Sequence, residues 1–139
     1  MTKDDYDEAA ALWKATPHMG LGSGDDSREG VARYLERNPG TSFVAVEDGR
    51  VIGTILGGHD GRRGFLYHTA VAEERQGRGV GRELVAAAVE AIRRQGVCKI
   101  GLLVYAGNDA GAAFWEKEGF GARGDLSYRD LVLVPQEKM

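Results

Sequence analysis

Cysteine is almost missing from this chain. Cys98 is the single one in 139 residues, so no internal disulfide framework holds the fold. The expectation for Cys98 itself is a small buried apolar residue ahead of a strand. No apolar run approaches the ~18 residues of a membrane span. Met1-Thr2-Lys3-Asp4-Asp5 does not read as a signal peptide, so a cytoplasmic protein is expected. The net charge is only −3 and no basic stripe is visible, which argues against nucleic-acid or anionic-membrane partners. The three histidines lack metal-ligand spacing, so no metal is expected. No repeat and no linker can be made out.

What is present describes an ordinary globule, with 42% hydrophobic and 28% charged residues. The length suits one domain, residues 1–139, large enough to build a core without staples. Glycine is abundant at 21 residues, which implies tight turns or close backbone approaches.

Periodicity predicts a first helix from Asp4 to about Thr16, with Tyr6, Ala9, Ala10 and Trp13 on one face and Pro17 as its stop. Gly20, Gly22 and Gly24 suggest a flexible loop. Asp26 and Glu29 read as a capping box for a second helix carrying Val31, Tyr34 and Leu35. Strands are expected at Phe43 to Val46, Val51 to Leu56 and Phe65 to Val71, with Asp48-Gly49 as a hairpin turn. A long helix should run from Val80 to Gln95, placing Leu84, Val85, Ala88, Val89 and Ile92 on one stripe. A central strand from Ile100 to Tyr105, a helix from Asp109 to Glu118, and closing strands near Phe120 to Ala122 and Tyr128 to Val134 complete the order. The class is α/β with a mixed sheet: two N-terminal helices, antiparallel strands, then a central parallel pair joined by a crossover helix.

The most informative stretch is Gln76-Gly77-Arg78-Gly79-Val80-Gly81-Arg82, between a strand end and a helix start. Alternating glycines there bare the backbone N–H groups, and the helix dipole favours an anion. No Lys-Ser or Lys-Thr follows, so it is not a P-loop. Counting from Gly79 and Gly81, Leu84 stands where the dinucleotide fingerprint needs its third glycine.

The Gln76 to Gly81 run resembles the glutamine/arginine–glycine–glycine motif of the GCN5-related N-acetyltransferases (GNAT). Asn108 follows the next strand, and Ala113-Phe114-Trp115-Glu116-Lys117-Glu118-Gly119-Phe120 resembles that family's second element. Element order fits from first helix to last strand. The resemblance implies the acyl-CoA N-acyltransferase fold and acetyl-CoA as cosubstrate. By position, Thr69, Ala70 and Val71 would meet the pantetheine arm. The amides from Gly77 through Arg78, Gly79, Val80 and Gly81 to Arg82 would hold the pyrophosphate. Asn108 would hydrogen-bond the pantetheine, with Gln76 and Trp115 also at the cofactor. Arg75, Arg78 or Arg82 is a candidate for the 3′-phosphate.

The chemistry departs from the family pattern. Amine acetylation needs a neutral amine, and a lysine-like amine has a pKa near ~10.4. It also needs a donor for the thioester oxygen, for which the Val71 N–H is the candidate. Trp115 stands where many members place a tyrosine acid, and Leu103 stands where one branch places a glutamate. Tyr67, alternating with Thr69 and Val71 along the strand, and Tyr105 are the candidate substitutes; each could equally be a packed aromatic. His68, from a residue type that changes charge near neutrality, should point to the face opposite Tyr67 as a structural histidine. The expected activity is direct acetyl transfer to a primary amine, with a small amine favoured over a protein N-terminus or lysine. The alternative is a CoA-binding regulatory module with little turnover. A monomer and a homodimer are both compatible with the sequence.

Overall fold

The computed structural model describes residues 1–139. Helices α1 (Tyr6–Ala15) and α2 (Arg28–Arg37) lead into strands β1 (Phe43–Glu47), β2 (Arg50–His59) and β3 (Gly64–Val71). Helix α3 (Val80–Arg94), strand β4 (Ile100–Gly101) and helix α4 (Asp109–Lys117) follow. The sheet order is β1-β2-β3-β4. The first three strands pair antiparallel, and β4 lies parallel to β3. A parallel neighbour requires a crossover, and α3 supplies it.

Helix α1 buries the four residues its periodicity predicts, Tyr6, Ala9, Ala10 and Trp13. A short 3-10 turn precedes it, capped by Thr2 and Asp5. The capping box expected at Asp26 and Glu29 does not form. Ser27 is the N-cap of α2, its Oγ accepting from Gly30 N at 3.0 Å. Serine and aspartate cap about equally well. Ser27 takes the role because Asp26 finds a partner inside the fold.

Asp48 and Gly49 both adopt positive φ, 50° and 76°, as a type I′ hairpin turn demands. Strand β2 is covered on both faces. Leu56 joins Trp13, Val31 and Ala70 under α1 and α2, while Ile55 joins Leu66, Leu84, Ala88 and Ile92 under α3. This alternation about one strand is the pleat sorting side chains into two cores.

Strand β3 breaks that alternation. Thr54 pairs with Ala70 but Leu56 pairs with Tyr67, so β3 carries one extra residue opposite Ile55. His68 sits in this bulge with φ 46°. Leu66 and Ala70 therefore fall in different cores, and Tyr67 packs on Tyr34 of α2 while Val71 packs towards α3. Simple alternation, which places Tyr67 with Val71 and turns His68 away from them, fails here.

Three further expectations are corrected. The strand expected from Ile100 to Tyr105 is two residues long and lies at the sheet edge. No strand forms at Phe120 to Ala122 or Tyr128 to Val134, and Leu131 to Val134 are exposed. Cys98 is exposed rather than buried.

Candidate active site

The short β3–β4 pairing opens the site. Only Gly64–Ile100 and Phe65–Gly101 are paired, so Leu102 to Tyr105 diverge from the second half of β3. A cleft of about 1950 Å³ runs through this gap, from the Gln76 to Arg82 loop past β3 to the loop before α2. Thr69, Ala70, Val71, Asn108 and Trp115 all line it.

At one end is the glycine loop. Gly77 and Gly79 hold φ of 77° and 84°, and a Cβ on either would meet nothing within 4 Å. These two positions are glycine for backbone conformation. Gly81 differs: a Cβ there would lie 3.2 Å from the Phe114 ring, so it permits α4 to pack on α3. No amide from Gly77 to Arg82 donates to a protein acceptor; the first bond of α3 is Glu83 N to Gly79 O at 3.0 Å. Six consecutive free N–H groups at a helix N-terminus form a cradle for a bridged diphosphate. This donor set, bare of side chains over Gly77 and Gly79, fits the pyrophosphate of acetyl-CoA. Gln76 Nε2 donates to Val71 O at 3.1 Å and ties the loop to the end of β3.

The Val71 amide faces the gap. Ala72 N donates to Ile52 O at 2.8 Å, so that pair is hydrogen bonded and the adjoining Gly53–Val71 pair is of the non-bonded kind. The Val71 N–H thus points away from β2. Arg75 is held by Glu47 at 2.6 Å, whereas Arg78 and Arg82 make no ion pair. Asn108 caps α4, its Oδ1 accepting from Gly111 N at 3.0 Å. Trp115 stacks edge-on between Phe114 and Phe120 at 5.0 and 5.2 Å.

The other end of the cleft is built by the Gly20 to Asp26 loop. Tyr105 reaches across to it, its hydroxyl lying too close to admit a Cβ on Gly20. The loop is pinned, not free. Gln136 Oε1 accepts from Gly24 N at 2.8 Å and Asp25 N at 2.7 Å, and its Nε2 donates to Asp25 Oδ2 at 2.9 Å. Tyr67 is half-exposed on the wall, 4.8 Å from Phe65 and 5.9 Å from Tyr34 between ring centroids. Burial first, then the Tyr128 and Asp25 charges, push its phenol above the ordinary tyrosine value.

Beside Tyr67 lies a pair that strand alternation conceals. His68 Nε2 meets Asp26 Oδ1 at 2.5 Å. A bulge of this kind leaves no mark in the hydrophobic pattern. The only sequence signal is a histidine inside a cofactor-lining strand and an aspartate made redundant as a cap by Ser27.

The acetyltransferase (GNAT) family pattern matches residues 7–120. An acetyltransferase of Photorhabdus laumondii is 36% identical over 137 residues, spanning 97% of this chain and 94% of its own. Among solved structures, the aminoglycoside N-acetyltransferase AAC(6′)-Iy, in complex with a CoA bisubstrate analogue, superposes with a TM-score of 0.74 at 21% identity, covering 95% of each chain. Ard1 from Thermoplasma volcanium superposes at 0.78 with 21% identity, covering 89% of this chain and 81% of its own. The chain belongs to the GNAT family and is an N-acetyltransferase.

Proposed function

We propose that this enzyme moves an acetyl group from acetyl-CoA directly to a primary amine, with no covalent enzyme intermediate. The six free amides from Gly77 to Arg82, opening into a cleft that the Val71 N–H also faces, carry this reading. Gly77, Arg78, Gly79, Val80, Gly81 and Arg82 bind the pyrophosphate, with Arg78 or Arg82 free for the 3′-phosphate. Thr69, Ala70 and Val71 run beside the pantetheine arm, and Asn108 Nδ2 reaches it while Oδ1 caps α4. Bound acetyl-CoA supplies an activated acyl carbon with a thiolate leaving group. The Val71 N–H stabilises charge on the thioester oxygen, an effect typically worth about 10²–10³-fold per donor. Tyr67 and Tyr105 relay protons to and from water on the acceptor side.

A small cationic amine is the favoured acceptor. Asp25 and Tyr128 lie near Tyr67 at that end of the cleft, and Asp130 is among the residues lining it. AAC(6′)-Iy, which shares the fold, has been solved with an analogue joining CoA to acetylneamine. The test is thermal stability with acetyl-CoA, followed by thiol release with a panel of amines. Ligand at 100-fold its Kd should stabilise by about 2.7 kcal/mol. No shift at saturation removes the proposal. A shift without thiol release from any amine selects a CoA-binding regulatory module, the reading that Trp115 and Leu103 favour.

A further inference from the structure

The His68–Asp26 pair is more elaborate than packing requires. Its side chains are only 12% and 10% exposed, and the second Asp26 oxygen accepts from Gly22 N at 2.8 Å. Trp13 packs edge-on to the imidazole at 4.7 Å and donates through Nε1 to Thr54 Oγ1 at 2.8 Å. Thr54 Oγ1 in turn donates to the His68 carbonyl at 2.8 Å, holding the bulge and its positive φ. A non-glycine residue in that region is strained and persists only where its surroundings over-determine it. His68 Nδ1 has no protein partner, yet no buried polar side-chain atom in the protein goes unpaired. Nδ1 is therefore solvent-accessible, and the cleft is the opening that both residues line, beside Tyr67 and three positions before Val71.

We infer that His68 and Asp26 form the proton-accepting dyad of the transfer, with Nδ1 taking the proton of the acceptor ammonium. The inference rests on the acetyltransferase reading above. Asp26 is a positioning residue: it binds Nε2–H and so leaves the Nδ1 lone pair facing the cleft, the division of labour that orients a catalytic imidazole. The step balances. One ammonium proton passes to Nδ1, and the freed nitrogen lone pair forms the amide bond as the carbon–sulfur bond breaks. The thiolate leaves with that bond's electron pair and is protonated from water. The nitrogen sheds its second proton to water, and the imidazolium returns its own to solvent. The titratable groups around the dyad include Tyr6, whose hydroxyl donates to the Asp26 carbonyl, Asp25 on the same loop, Arg28 and Glu29 at the start of α2, and Tyr67, near which Tyr128 lies.

The experiment compares wild type, His68→Gln and Asp26→Asn on two acceptors. One is a strongly basic alkylamine. The other is a fluorinated ethylamine, already neutral at the assay pH. Positioned base catalysis typically contributes 10²–10⁴-fold. His68→Gln should lose about that much kcat/KM with the alkylamine while losing far less with the fluorinated amine. Imidazole should partly rescue His68→Ala with the alkylamine. Nitrogen-15 NMR of the neutral ring in wild type should show the proton on Nε2, and Asp26→Asn should disturb that tautomer. Equal losses on both amines, or a ring proton on Nδ1, overturn the dyad while leaving the acetyltransferase intact. A retained acetyl-CoA thermal shift in His68→Gln shows that the fold survives. If wild type acetylates no amine, the proposed function fails and the dyad fails with it.

Discussion

The three glycines of the Gln76 to Arg82 loop perform two different tasks, and substitution separates them. Gly79→Ala forces a side chain into left-handed backbone, which costs about 1–2 kcal/mol. It should also weaken acetyl-CoA binding, because relaxing φ turns the amides away; urea unfolding and ligand titration measure both. Gly81→Ala should instead loosen the α3–α4 contact at Phe114. Tyr34 provides a second handle at this scale. Burial first, and the neighbouring Tyr67 second, push its phenol far above the ordinary value. A folded value above the unfolded one means its stability contribution is complete below the unfolded value near ~10 and is lost as pH rises beyond it. Thermal melts from pH 9 upwards should fall steeply for wild type and less steeply for Tyr34→Phe. The glycines were legible in the sequence because φ and bare backbone demand that residue type. His68 was not, since its orientation depends on one extra residue in β3 that only strand pairing reveals.

At the scale of elements, helices followed their periodicity closely, whereas strands departed from theirs at the β3 bulge and after Gly101. Helices α1 and α3 bury the residues their spacing predicts, apart from Val89, which is only partly covered. The apolar run from Ile100 to Tyr105 implies a buried strand, but pairing stops at Gly101 because β3 and the following backbone diverge. An apolar run reports burial potential and not hydrogen-bond partners. The loop from Gly20 to Asp26 shows the same limit. Its glycines suggest mobility, yet Gln136 clamps it from 111 residues away. Gln136→Ala should raise the amine KM and speed hydrogen exchange at Gly24 and Asp25, while leaving acetyl-CoA affinity unchanged. Unaltered exchange there would show that the clamp is dispensable.

Over the whole molecule, β2 is the shared wall of two cores, one under α1 and α2 and one under α3. Opening either face leaves the other packed against it. Backbone amides from Thr54 to Gly57 should therefore exchange slowest, by global unfolding alone, while residues 120–134 exchange quickly. Exchange mass spectrometry resolves the two. Comparable rates would mean that the cores do not cooperate through β2. The active cleft also belongs to this scale, since its ends come from loops roughly fifty residues apart on a sheet that parts between β3 and β4. The sequence by itself determined the order of elements from α1 to α4, the core faces of α1 and α3, and the bare backbone of the Gln76 to Arg82 loop. Those are local properties, set by side-chain period and by the backbone freedom of glycine. Only the tertiary structure decided the β3 bulge, the gap at β4, the Gln136 clamp and the meeting of His68 with Asp26. Each depends on pairing between distant segments, where a shift of one residue turns a side chain to the other face.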